Sequence, residues 1–150
     1  MNITVRQATI GDLAALVPLF DAYRQFYEQP SDPDLARRFL FDRFEHGESV
    51  IFIARDEDGR AVGFTQLYPS FSSTRAARLF ILNDLFVTPD GRGRGVGGLL
   101  LAAAADYGRA TGAVELALST ARTNLTAQAL YKAKGWKRDE TYLTYELALS

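Results

Sequence analysis

Residues 85–98 of this 150-residue chain read LFVTPDGRGRGVGG, and this segment decides the fold assignment. It begins with the apolar end of a strand, passes five glycines between positions 91 and 98, and leads into an apolar helical pattern. Glycines let the backbone turn its N–H groups toward a ligand, and a helix N-terminus offers unpaired donors with a partial positive charge. Arg92 and Arg94 add two guanidinium groups. The segment therefore predicts a phosphate- or pyrophosphate-binding loop.

Two well-known phosphate-binding patterns fit this loop poorly. A Walker loop needs Lys followed by Ser or Thr after its last glycine, whereas Leu99 follows here. The dinucleotide pattern G-x-G-x-x-G is present at residues 93–98, and Glu115 lies near the distance of its ribose-binding acid. However, the pattern begins six residues after Val87, and Glu115 falls near the start of a predicted strand rather than at its end. A dinucleotide-binding protein is retained only as an alternative.

The rest of the chain alternates between strand and helix patterns. The predicted order is β-α-α-β-β-β-α-β-α-β-β, with hairpins early in the chain and a β-α-β crossover late. This order predicts an α/β fold with a mixed sheet of about seven strands flanked by four helices. The later elements are expected as strands at 61–68, 79–87 and 114–119, a loop at 69–73, a helix from Asn124 to about Lys134, and an antiparallel pair at 136–140 and 142–149.

Length and composition limit the class of protein. A chain of 150 residues and 16.6 kDa, 47% hydrophobic and 23% charged, is typical of one globular domain, predicted over residues 1–150. The net charge of −1 gives no global basic field for nucleic acid, and the absence of cysteine excludes disulfides and thiol nucleophiles. The longest small or apolar run, Gly95–Ala105, has 11 residues, too few to cross a bilayer. We expect a cytoplasmic protein with no membrane partner and no metal site.

Two sequence blocks resemble the signatures of one enzyme family. Arg92-x-x-Gly95-x-Gly97 matches the R/Q-x-x-G-x-G/A signature of the GCN5-related N-acetyltransferase family. Residues 124–136, NLTAQALYKAKGW, resemble its second signature, N-x-x-A-x-x-L-Y-x-x-x-G-F. The blocks are correctly ordered and separated by a helix and a strand, which makes the pair more specific than either alone. Residues 82–87, LNDLFV, look most like the diamine and spermidine acetyltransferase branch and the fungal enzymes related to it.

The resemblance implies an N-acetyltransferase that moves acetyl from acetyl-CoA to a primary amine by direct attack in a ternary complex. The loop amides would bind the pyrophosphate, and the end of the preceding strand would hold the pantetheine arm and stabilise the oxyanion. The sheet would splay beside that strand and leave a slot for the thioester. The implied cofactor-binding residues are Leu85, Phe86, Val87, Arg92, Gly93, Arg94, Gly95, Val96, Gly97, Gly98, Asn124 and Tyr131.

Tyr131 is implied as the acid that protonates the departing CoA thiolate. A phenol is protonated at neutral pH and can donate. Asn124 would contact the pantetheine arm, and seven residues along a helix bring Tyr131 back to nearly the same face about 10 Å further on. Spacing alone leaves open a core role for Tyr131 and a plain helix cap for Asn124.

The general base is the least defined part of this hypothesis. In the diamine branch a glutamate immediately precedes the aspartate that aligns with Asp84, but this chain has Asn83 there, which cannot act as a base. Strand alternation predicts that Asp84 faces away from Asn83. Either Asp84 works through water or water alone relays the proton; a purely structural role for Asp84 is also open. The loss of the glutamate motivates a second hypothesis, an acyl-CoA-binding module without strong catalysis.

The acceptor side can be assigned only by region. The resemblance points to the residues that end the first helix, Tyr23, Phe26, Tyr27 and Glu28, and to Phe71 in the predicted loop. Asn83 is also expected on this side. A small-molecule or peptide amine is the expected acceptor. The aromatic and β-prone segment 136–149 predicts an exposed sheet edge through which two copies of the chain could form a homodimer.

Overall fold

The computed structural model describes residues 2–150, in which strands and helices follow the predicted order as far as residue 133. They are β1 (Thr4–Gln7), α1 (Leu13–Phe26), α2 (Pro33–His46), β2 (Val50–Arg55), β3 (Ala61–Ser72), β4 (Ala77–Val87), α3 (Val96–Ala110), β5 (Leu116–Ala117) and α4 (Leu125–Ala133). Single 3₁₀ turns, Ile10–Asp12 and Pro89–Gly91, lie shortly before α1 and α3. The described chain separates into two units, one extending to Ser119 and one from Thr120 to Ser150 that contains α4.

The sheet is mixed, as the sequence predicts. Its order is β1-β2-β3-β4-β5, with antiparallel pairs from β1 to β4 and a parallel pair between β4 and β5. The sheet therefore has five strands in the described part of the chain, and the predicted count of about seven is wrong.

The two missing strands are those predicted at 136–140 and 142–149. Asp139 forms a turn there, its carboxylate accepting from the amides of Thr141 at 3.2 Å and Tyr142 at 3.3 Å. Side chains along the segment, such as Tyr145 and Leu149, are exposed. A segment with high strand propensity forms a strand only when another strand pairs with it, because a lone extended segment leaves its backbone groups unpaired.

The loop predicted at 69–73 is also wrong, because β3 continues through it to Ser72. Pro69 is tolerated within the strand because it lies opposite Phe80 at a position where the amides of β3 point away from β4. On that other side β2 has already ended, opposite Leu67. The missing N–H of Pro69 therefore removes no ladder hydrogen bond.

Helices cover both faces of the sheet. On one face, Leu16 of α1 and Leu40 of α2 share a buried core with Ile53 and Phe64. On the other, Tyr107 of α3 packs against Phe52, with ring centroids 5.7 Å apart. The alternation of Phe52 and Ile53 along β2 explains how one strand serves both layers.

Gly63 sets the distance between α3 and the sheet. A Cβ there would lie 2.9 Å from the Phe86 carbonyl oxygen and 3.1 Å from Val96 Cγ1. Glycine therefore lets the first turn of α3 lie close to the end of β4. This packing places the loop between β4 and α3 beside the last residues of the strand.

Candidate active site

The loop after β4 adopts a backbone that requires glycine. Thr88 starts it, its hydroxyl accepting from the Gly91 amide at 3.2 Å. Gly93 and Gly95 have φ values of +75° and +77°, which residues other than glycine rarely adopt. An added Cβ at either position would meet no atom within 4 Å, so open space lies beside both.

Among the residues that the structure describes, the first turn of α3 presents amides without a hydrogen-bond partner at the end of this loop. The first helical bond runs from the Leu99 amide to the Gly95 carbonyl oxygen at 3.1 Å, so the amides of residues 96–98 precede it. Gly95 supplies no capping side chain, and the first turn of α3 contains no acidic residue. Free donors at the positive end of a helix fit an anion such as a diphosphate.

Two arginines belong to the same loop. Arg92 Nε donates to the Val87 carbonyl oxygen at 3.2 Å. Arg94 lies 3.9 Å from Glu57 and is 16% exposed, and its Nε is buried without a hydrogen-bond partner within residues 2–150. An orphaned guanidinium donor beside unpaired amides also fits an anionic ligand.

The backbone at the end of β4 has groups that β3 does not pair. The Thr88 amide donates to the Val62 carbonyl oxygen at 2.9 Å. Because antiparallel backbone groups alternate in direction, those of Leu85 and Val87 point away from β3 and toward the β5 side. Among the described residues β5 pairs with β4 no further than Ile81. The two strands thus part beside these groups.

A β-bulge in β4 overturns one prediction about Asp84. Gln66 pairs with Asp84 and Leu67 with Leu82, so Asn83 is an extra residue in the ladder. The bulge cancels the strict alternation that predicts opposite directions for Asn83 and Asp84. Their side chains meet instead, Asn83 Nδ2 donating to Asp84 Oδ1 at 2.8 Å.

Asp84 is buried among hydrogen-bonding and aromatic side chains. It is 1% exposed and also accepts from Gln66 Nε2. Burial raises the pKa of the Asp84 carboxyl, while the hydrogen bonds to Asn83 and Gln66 oppose the rise. The Tyr23 hydroxyl donates to the Asn83 carbonyl oxygen at 3.2 Å, and burial, followed by the nearby charge of Asp84, raises the pKa of Tyr23. A buried carboxyl with a raised pKa is a candidate proton acceptor.

Asp84 and Asn83 line a cavity of about 390 Å³ at the junction of α1, α2 and β4, which we call the α1–α2 cavity. Its other lining residues are Phe20, Tyr23, Arg24, Leu35, Phe39 and Tyr68. Sequence reasoning gives Tyr23 only as part of a region and does not single out Arg24. The available signal was a charged residue one turn after Phe20, within the apolar pattern of α1.

Three predicted acceptor residues do not line this cavity. Tyr27 follows α1 and packs edge-on against Tyr23, with ring centroids 5.1 Å apart. Glu28 is exposed with a φ of 66°. Phe71 lies in β3 rather than in a loop, exposed beneath the Arg78 guanidinium at 5.0 Å. Of the predicted acceptor residues, Tyr23 and Asn83 line the α1–α2 cavity.

The second unit contains the other predicted site residues on α4. Asn124 caps the helix, its side chain accepting from the Ala127 amide at 3.1 Å. Tyr131 lies near the C-terminal end of α4, with its ring centroid 5.9 Å from that of Trp136. Gly135, at φ +90°, ends the helix, and the Trp136 amide donates to the Tyr131 carbonyl oxygen at 3.0 Å. The predicted helix and both of its ends are confirmed.

The sheet and the surroundings of Glu115 differ from those of a dinucleotide-binding protein. The sheet is largely antiparallel, whereas the dinucleotide pattern belongs to a doubly wound parallel sheet. Glu115 precedes β5 and pairs with Arg75 at 2.9 Å. Residues 2–150 contain no group of three or more histidine or acidic side chains placed to hold a metal ion. In the same range, no helix is both long enough and apolar enough to cross a membrane.

Comparison with known proteins identifies the family. The model of the Acetyltransferase (GNAT) family matches residues 16–136. The chain is 49% identical over 143 residues to YhfO, an uncharacterized N-acetyltransferase of Bacillus subtilis (strain 168), covering 95% of each. It resembles the crystal structure of a probable acetyltransferase with a TM-score of 0.92 and 42% identity, covering 100% of this chain and 99% of that one. It resembles AAC(6')-Iy in complex with the bisubstrate analog CoA-S-monomethyl-acetylneamine with a TM-score of 0.80 and 25% identity, covering 99% of each.

The chain therefore belongs to the GNAT acetyltransferase family, and it is an N-acetyltransferase. This confirms the family and the fold class expected from the two sequence signatures. The particular likeness of residues 82–87 to the diamine and spermidine branch stays a prediction.

Proposed function

We propose that this protein transfers the acetyl group of acetyl-CoA to a primary amine by direct attack within a ternary complex. The observation that carries the proposal is the run of unpaired amides at residues 96–98, beside the outward backbone groups of Leu85 and Val87. CoA contains a diphosphate joined to an extended chain with amide groups. The diphosphate needs donors such as the amides of the helix, and the extended chain needs backbone partners such as those of the strand. The CoA-containing bisubstrate analog bound to AAC(6')-Iy supports acetyl-CoA as the acetyl donor.

The loop residues have separate roles in this proposal. Gly93 and Gly95 allow the backbone turn, and the amides of Val96, Gly97 and Gly98 bind the diphosphate. Arg92 and Arg94 add charge-assisted hydrogen bonds. Leu85, Phe86 and Val87 form the strand along which the pantetheine arm lies, and a backbone N–H on that strand stabilises the oxyanion of the thioester carbonyl.

The reaction needs two protons to leave the substrate ammonium. Asp84, directly or through water, takes the first, which then passes to solvent. The neutral amine attacks the thioester carbonyl carbon, an N–C bond forms, and the C–S bond breaks. The thiolate takes a proton from the Tyr131 hydroxyl, which is restored by the second proton from nitrogen. The role of Tyr131 as the acid is assigned from its position in the family's second signature. Asn124 is proposed to bind the pantetheine arm.

A catalytically weak acyl-CoA-binding module of the same family is the second candidate function. It is favoured by the hydrogen bonds that Asp84 already accepts from Asn83 and Gln66, which would also suit a purely structural carboxylate. A screen of primary amines with acetyl-CoA, in which released thiol is detected, separates the two. Thiol release that depends on an amine supports the enzyme. Saturable CoA binding with no amine-dependent release supports the module.

A further inference from the structure

The α1–α2 cavity carries two side chains of opposite charge. We propose, on the basis of the acetyltransferase function above, that it binds an acceptor with an acidic group beside its primary amine, an apolar amino acid being the simplest case. Asp84 faces the amine, and Arg24 binds the acid. The inference goes beyond the amine class named above because it specifies the second functional group.

Arg24 has donors available for an acid. Its Nη1 is buried without a hydrogen-bond partner in the described part of the chain. The carboxylate of Asp21, whose charge interacts with Arg24, already accepts from Ser31 Oγ at 2.7 Å and from the Asp32 amide at 2.8 Å. A buried guanidinium nitrogen without a partner is costly, and a ligand carboxylate would satisfy it with the planar geometry that arginine prefers.

The same cavity disfavours an acceptor with several amines. Within residues 2–150, Asp84 is the one carboxylate and Arg24 the one cation that line it. A second cation, Arg43, stacks 4.4 Å above the ring of the lining residue Phe39, and it is paired with Glu48 at 3.2 Å. A second ammonium would therefore meet the guanidinium of Arg24, whereas an acid would be attracted to it.

The remaining walls indicate an apolar substituent. Phe20 and Phe39 stack with ring centroids 5.5 Å apart, and Tyr23 packs 6.1 Å from Phe20. With Leu35 they form an aromatic and aliphatic lining around the two charges. A volume of about 390 Å³ is within the range of small-molecule pockets and leaves room for an apolar side chain.

The test compares three probes that differ in one group. L-phenylalanine has a free carboxylate, L-phenylalaninamide has a neutral amide in its place, and 2-phenylethylamine has neither. Spermidine serves as the probe with several amines. The full chain is assayed for CoA release with acetyl-CoA, and each probe is also titrated into the CoA-saturated protein by calorimetry. We expect L-phenylalanine to exceed the other probes in kcat/KM and in affinity by a factor of about 10 to 100, the range for a hydrogen bond to a charged group.

Arg24→Gln is the decisive variant. It should remove the preference for L-phenylalanine over L-phenylalaninamide without changing the affinity for CoA, and Arg24→Lys should restore part of the preference. Arg37→Gln, on the exposed side of α2, is the matched control and should keep the full preference.

The outcomes separate this inference from the proposed function. CoA binding without a preference for the carboxylate, including a protein that uses none of the probes, overturns the inference and leaves the CoA site standing. An unchanged preference in Arg24→Gln also overturns it. Failure to bind CoA would instead remove the proposed function and this inference with it.

Discussion

Asp84 shows how one inserted residue changes the chemistry of a strand. The bulge at Asn83 brings two polar side chains to one cavity and encloses the carboxylate with Gln66 and Tyr23. Burial raises the pKa of Asp84, so the folded protein is penalised whenever this group is ionised. The same burial that suits a proton acceptor should therefore reduce stability.

This penalty predicts that the stability of Asp84→Asn relative to the parent depends on pH. Because the pKa of Asp84 is raised on folding, the contribution of its neutral form to stability is present below the unfolded pKa and is lost as pH rises through the folded pKa. The free energy of unfolding of the variant relative to the parent should thus increase across that interval and level off above it. Urea unfolding at a series of pH values measures the difference, and a difference that does not change with pH would contradict the burial argument.

Asp12→Asn is the matched control, with the opposite sign. Hydrogen bonding to Arg6 is the largest cause that lowers the pKa of Asp12, and Arg55 adds a second contact at 3.1 Å. A lowered pKa gives stability above the unfolded pKa that disappears as pH falls through the folded pKa. The variant should lose stability at neutral pH and approach the parent in acid.

Tyr131→Phe tests the proposed acid. The substitution keeps the ring that packs against Trp136 and removes only the hydroxyl. Turnover should fall by about 10²- to 10⁴-fold, the usual contribution of a positioned proton donor, and the affinity for acetyl-CoA should fall much less. Steady-state kinetics together with calorimetry distinguish the two effects. Turnover equal to that of the parent would end the role of Tyr131 as an acid.

At the scale of elements, sequence patterns predict what local chemistry determines. The cap at Asn124 and the glycine-rich start of α3 are correctly placed, because each depends on a few neighbouring residues. The bulge at Asn83 and the extension of β3 through Pro69 are missed, because both depend on the register between strands. Arg24 is missed for a related reason, since its role depends on what folds against α1.

Gly63→Ala is the corresponding test of how α3 is positioned. The added Cβ would lie 2.9 Å from the Phe86 carbonyl oxygen, so the helix or the strand must shift. Overpacking of this kind costs about 1–3 kcal/mol and should also weaken CoA binding, because the amides of the first turn move. Thermal unfolding and CoA titration measure the two effects.

Gly108→Ala provides the control within the same helix. An added Cβ there would make ordinary contacts, the nearest at 3.5 Å to Leu116. Alanine is the better helix former by about 1 kcal/mol, so stability should rise or stay constant and CoA affinity should not change. Equal changes of stability and CoA affinity in the two variants would contradict the role of Gly63 in positioning the loop.

At the scale of the whole molecule, exposed apolar side chains suggest how copies of the chain could associate. Tyr142, Leu143, Tyr145, Leu147 and Leu149 are each at least 80% exposed, and contiguous apolar surface often marks an interface. We predict a homodimer formed through residues 142–149. Light scattering should give twice the chain mass of 16.6 kDa, and Leu147→Lys should shift it toward the monomer. A monomeric parent protein at working concentration would refute the prediction.

The proposed function requires that the loop between β4 and α3 binds the diphosphate of CoA. The most direct measurement is calorimetric titration of CoA into the parent protein and the Arg92→Glu/Arg94→Glu double variant, with Arg37→Glu/Arg38→Glu as a control of equal charge change. We expect saturable binding by the parent and the control, and a loss of about tenfold or more in affinity for the loop variant. Equal affinity in all three proteins, or no binding by the parent, would contradict the assignment of this loop.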